Sequence, residues 1–110
     1  MKLLTKELRA ALPPLYTNEN ETDPKAIVKF FTPFNRWTWY ATEFDGNDTF
    51  FGLVDGHEKE LGYFSLAELE SLGNRIERDL WFKPTPLSKI YTHPSPAIPR
   101  RRLPEDLPQV

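Results

Sequence analysis

Two sets of side chains in this chain have the types and spacing to do chemistry. The first is acidic: Glu43, Asp45, Asp48, Asp55, Glu58 and Glu60, with His57 among them. Carboxylate oxygens and one imidazole suit a hard or borderline metal. A carboxylate pair such as Asp45 and Asp48 suits acid–base work. The second set is Arg100-Arg101-Arg102, whose guanidinium forks suit phosphate or an acidic protein face. Neither set has the form of a catalytic centre. The spacing around His57 matches no ligand motif, and strand alternation would send its neighbours to opposite faces. Carboxylates at a hairpin tip stay solvated and keep ordinary pKa values. His93, the other histidine, lies in proline-rich sequence away from any carboxylate cluster. The chain has no Gly-x-Ser-x-Gly, no phosphate-binding glycine loop, no His-Glu-x-x-His and no dinucleotide fingerprint. The sequence therefore predicts no catalytic residue, no metal ligand and no cofactor, and leaves both charged sets as candidate partner-binding residues.

Charge is unevenly placed. The net charge of −2 conceals ten carboxylates against three basic residues between 43 and 79. The ends on either side carry a basic excess. Such a centre can face a partner or imitate DNA, but solubility and turn chemistry account for it more simply. Trp37, Trp39 and Tyr40 could stack nucleic-acid bases on an open sheet, yet their acidic neighbourhood argues against direct nucleic-acid binding.

The elements that must position these groups are concentrated in Trp37 to Glu70, WTWYATEFDGNDTFFGLVDGHEKELGYFSLAELE. β-branched and aromatic runs predict strands over 26–32, 36–44, 49–54 and 60–64, with a fifth over 76–82. Asp45-Gly46-Asn47-Asp48 and Asp55-Gly56 are hairpin turns. In the second strand Trp37, Trp39 and Ala41 should face one way, and Thr38, Tyr40, Thr42 and Phe44 the other. Trp39 is expected in the core with Phe50 and Val54. Large apolar groups on both faces call for cover on both sides, or for an aromatic binding face.

Three short helices complete the set. Thr5 should cap one over 5–12, with Leu4, Leu8, Ala11 and Leu12 on one face, until Pro13 and Pro14 stop it. Ser65 and Glu68 have the spacing of a reciprocal capping box for a helix over 66–72, with Phe64 and Leu69 as its staple and Gly73 beyond its end. Thr85 and Pro86 should start the third, over 86–91. The fold class is thus α+β: an antiparallel meander sheet of four to five strands, packed by short helices, with a proline-rich C-terminal tail. Residues 1–91 form the domain. Residues 92–110, with five of the 11 prolines, form an extended or disordered tail. The charged N-terminus is no signal peptide, no stretch is long enough to span a membrane, and cysteine is absent. These features predict a cytoplasmic protein without membrane partners.

The Trp37–Glu70 block, preceded by MKLLTKELRAALPPLY and followed by IERDLWFKPTPLS, resembles a family of small bacterial proteins defined only as a domain of unknown function. The resemblance covers roughly residues 1–89. It implies an origin on plasmids, integrative elements or phages, often near conjugation or antirestriction genes. It supplies no activity, cofactor or site residue. The first functional expectation is a non-enzymatic protein-binding module or accessory factor of a mobile element. The alternative is an anti-defence inhibitor, of antirestriction or anti-CRISPR type, using an acidic DNA-mimicking surface. A hydrolase or nuclease with carboxylate-bound metal comes last.

Overall fold

The computed structural model describes residues 2–90; the expectations placed on residues 91–110, including Arg100, Arg101 and Arg102, lie outside the described residues. The elements run α1 (Lys6–Ala11), β1 (Lys25–Ala26), β2 (Val28–Phe31), β3 (Thr38–Phe44), β4 (Thr49–Asp55), β5 (Lys59–Ser65), α2 (Leu66–Glu70), a 3-10 turn (Gly73–Arg75), β6 (Glu77–Arg78), β7 (Thr85–Pro86) and α3 (Leu87–Ile90). The main sheet has the order β5-β4-β3-β2-β6 and is antiparallel throughout. β2 to β5 form the expected meander, and β6 returns to the far border beside β2. The class is α+β. β1 and β7 pair separately as a two-stranded ribbon.

Both faces of the sheet are covered. Phe30, Ala41, Phe44 and Phe50 form the main cluster with Leu4 and Leu12 from the α1 segment and Leu66 and Leu69 from α2. On the other face Ala26, Leu53 and Leu87 make a smaller cluster, with Tyr40, Leu61, Phe82 and Ile90 against it. Leu8 packs on the main cluster from α1, whereas Ala11 is exposed. Trp39, expected in the core, is half-buried at its rim. It pairs with Val54 across the ladder.

The strict alternation read along β3 fails at one point. Ala41 pairs with Gly52 and Glu43 with Phe51, so Thr42 is an extra residue, a β-bulge. Beyond it the faces exchange, and Phe44 joins Ala41 and Trp39 on the main-core side. The bulge also turns Glu43 to the opposite face, where its side chain is fully buried. There one carboxylate oxygen accepts the Tyr16 N–H at 2.8 Å and the other the Asn18 N–H at 2.7 Å. Thr42, also buried, donates its hydroxyl to the Phe51 carbonyl at 2.9 Å.

Three further expectations are corrected at element ends. Ser65 does accept the Glu68 N–H at 3.2 Å. The reciprocal Glu68 contact is not formed among the described residues, because Ser65 is held in the ladder opposite Thr49. Asp48 supplies the other acceptor, taking the Ala67 N–H at 2.8 Å and the Ser65 hydroxyl at 2.7 Å. The fifth strand stops after two residues, because Asp79 folds the chain into a turn and accepts the Trp81 N–H at 2.9 Å. Thr85 and Pro86 belong to β7 rather than to a helix start, and α3 is held by Asp23, which accepts from the Ser88 N–H and hydroxyl at 2.8 and 2.6 Å.

Two variants test these close fits. A Cβ at Gly52 would lie 1.9 Å from the Tyr40 carbonyl oxygen, which the ladder fixes in place. Gly52→Ala should cost at least about 1–3 kcal/mol. A thermal melt lowered by under about 4 °C would contradict this tight approach. Glu43→Ala removes the acceptor of two part-buried N–H groups and should cost about 1.5–3 kcal/mol. Urea unfolding should show it as a lower midpoint with an unchanged slope.

Candidate functional site

The six acidic candidates do not form one cluster. Glu43 is inside the molecule, holding the 16–18 loop, and cannot meet a partner. Asp45 closes the first hairpin: its Oδ1 accepts the N–H groups of Asn47, Asp48 and Thr49 at 2.8, 2.8 and 3.0 Å. Partial desolvation works against its ionisation. The three backbone donors and the Thr49 hydroxyl outweigh that, so its pKa lies below the ordinary aspartate value. Asp48 is spent on α2, as above. Asp55, Glu58 and Glu60 lie at the other hairpin, around the β4–β5 turn. There His57 is exposed and sets its ring edge-on to Trp37 at 5.4 Å between centroids. Among the described residues no group of three His, Asp or Glu side chains is placed to hold a metal ion.

A different surface has the character of a binding site. Asp79 donates its N–H to the Lys29 carbonyl at 2.9 Å, and its carboxylate pairs with Lys29 Nζ at 3.6 Å. The turn it makes returns Phe82 to the smaller core, 6.0 Å from the Tyr40 ring. The same turn throws Leu80 and Trp81 outward, 61% and 90% exposed. A groove of about 340 Å³ opens beside them, lined by Lys29, Phe31, Glu77, Arg78, Asp79, Leu80 and Trp81. Arg78 sends its guanidinium to the carbonyls of Lys2 and Leu3, the latter at 3.0 Å. Lys29 also lies over the Tyr40 ring, 5.7 Å from its centroid. Burial, then the negative charges of Asp55 and Asp79, push the Tyr40 pKa up.

A second recess of about 210 Å³ lies at the β2–β3 turn, among Thr32, Phe34, Asn35, Trp37, Trp39, Leu72 and Arg75. Trp37 and Trp39 stack there at 5.9 Å, and Phe34 is 82% exposed at the tip. None of these arrangements joins a nucleophile to a base. What they offer is apolar surface edged by charge.

The model of the family described as Protein of unknown function (DUF2958) matches residues 3–95. The chain belongs to that family. No curated protein matches the chain, and no solved structure does. The DUF2958 description carries no activity, so a functional reading of this member rests on its surface. Leu80 and Trp81 were missed in the sequence because IERDLWF has the apolar density of a strand. The signal against that reading was Asp79 two residues before Trp81, the spacing of a side-chain-closed turn.

Asp45 gives a pH-dependent check. Its folded pKa is depressed, so its contribution to stability is present above the unfolded pKa and is lost as pH falls through the folded one. Asp45→Ala should melt below the parent at neutral pH, and the gap should narrow below about pH 4. A gap independent of pH would show that the three hydrogen bonds do not favour the charged form.

Proposed function

We propose that this protein is a non-enzymatic protein-binding module, an accessory factor of a mobile genetic element acting in the cytoplasm. Its partner would be engaged at the groove between β2 and β6. The observation that carries this reading is Trp81, 90% exposed beside the exposed Leu80. Covering about 200 Å² of indole surface would be worth up to about 5 kcal/mol. That is comparable with the whole stability of a small domain, about 5–15 kcal/mol. Exposed aromatic anchors at a groove are the residues on which interfaces concentrate their binding energy. The mobile-element context is supported by the resemblance carried by the Trp37–Glu70 block.

A DNA-mimicking inhibitor would need its carboxylates on one contiguous face with phosphate-like spacing. Glu43, Asp45, Asp48 and Asp79 are engaged in internal bonds. Asp55, Glu58 and Glu60 stand at one end of β5 and Glu68 and Glu70 beyond the other, roughly 17 Å apart along the strand. The groove is therefore the better-supported surface.

The test is capture of partners from the native host by the full chain, its Trp81→Ala variant and its Leu80→Ser variant, with cross-linking and mass spectrometry. Because both side chains are exposed, both variants should still fold and melt cooperatively. A partner lost at least tenfold by Trp81→Ala supports the reading. Equal recovery by all three chains would sink it.

A further inference from the structure

The groove has a complement in the chain's own sequence. Between residues 94 and 104 the chain reads PSPAIPRRRLP. Proline at this density favours the polyproline II helix, which repeats every three residues with a rise of about 3.1 Å. At that period Pro96, Pro99 and Arg102 share one ridge, each about 9 Å from the next. Aromatic-lined grooves bind such ridges without needing backbone pairing, because the helix is already extended and loses little entropy.

The groove offers matching chemistry. Trp81 presents an exposed indole and Phe31 lines the groove with it. Glu77 pairs with Phe31 in register and so shares its face of the sheet. Arg78, one residue on, turns to the other face and its guanidinium is occupied by the Lys2 and Leu3 carbonyls. Of the two groove carboxylates, Asp79 is taken by Lys29, which leaves Glu77 to receive an arginine. Glu77 and Trp81 are four residues apart, at most about 13 Å, which accommodates the 9 Å step from Pro99 to Arg102.

The tether also allows it. The described chain ends at Ile90, which packs in the smaller core beside Tyr40, on the groove's side of the sheet. Nine residues from Ile90 to Pro99 can span up to about 30 Å. The molecule measures 34 × 32 × 28 Å, so this reach is comparable with the width of the body.

We infer that the segment Pro96–Arg102 of the chain docks in its own β2–β6 groove, with Pro99 against Trp81 and Arg102 at Glu77. This rests on the reading of the groove as a protein-binding surface and names the ligand chemistry it takes: a proline ridge followed by arginine. A partner must then displace the segment. A tethered ligand acts at an effective concentration near the millimolar range. Even a segment of about 100 μM intrinsic affinity would occupy the groove about nine-tenths of the time.

The chain has no cysteine, so Ser95→Cys gives the full-length protein a single site for a nitroxide label. In the isotope-labelled protein the Phe31, Glu77 and Trp81 resonances should broaden, and Pro99→Ala with Arg102→Glu should abolish the broadening. A synthetic peptide of residues 94–104 should bind that double variant about tenfold more tightly than the parent, whose groove is already filled. Trp81→Ala should lose both effects. Equal peptide affinity for the two chains, or no broadening in the parent, overturns the inference. So does broadening that appears only when unlabelled nitroxide-bearing chain is mixed with isotope-labelled chain, because the segment then serves a second copy. Partner capture by Trp81→Ala is measured separately, so loss of the self-docking leaves the partner reading standing or falling on its own result.

Discussion

The carboxylate of Glu43 is the interaction around which the rest is arranged. A fully buried charge is tolerated only when hydrogen bonds replace its water, and here the N–H groups of Tyr16 and Asn18 do so from the far side of the long N-terminal loop. The bulge at Thr42 makes this possible. It aims Glu43 away from the main core and swings Phe44 into it, 4.4 Å from Phe50. One inserted residue thus joins the N-terminal loop to one face and completes the aromatic packing of the other. Tyr16 adopts a left-handed backbone, φ 73°, a conformation that non-glycine residues hold only when their surroundings enforce it. The buried carboxylate holds the Tyr16 N–H in that conformation.

The same economy explains the acidic centre. Helices of four to six residues are too short to persist alone. α2 is held by Asp48 from the preceding hairpin and α3 by Asp23 from a loop 65 residues away in sequence. Asp79 stops β6 and joins it to Lys29. Much of the negative charge between residues 43 and 79 therefore exists to accept backbone hydrogen bonds at the ends of small elements. Its clustering in sequence reflects the density of turns.

The legible parts of the fold were those that short-range patterns determine. The alternation in 49–54 and 60–64, the Asp-Gly turns and the Ser65 cap all have local causes, and the structure has β4, β5 and α2 there. What escaped was set by distant partners. The bulge depends on a loop that Glu43 meets 25 to 27 residues earlier. Thr85-Pro86 reads as a helix start until β1 pairs with it. The candidate surface was hidden for a related reason. An apolar segment predicts burial, and only the Asp79 turn reveals that two of its members, Leu80 and Trp81, face outward while Phe82 returns.

The two borders of the sheet are unlike. β5 runs for seven residues along one side, whereas β6 contributes two on the other before Asp79 turns the chain away. An open strand edge invites pairing with another molecule, and indefinite growth requires two such edges on each copy. Among the described residues the main sheet has one long edge. Two copies meeting strand to strand would have to pair β5 with β5, and each would then present only the interrupted border. Edge pairing through β5 would close as a dimer and leave no second long edge of the main sheet, among the described residues, on which to grow.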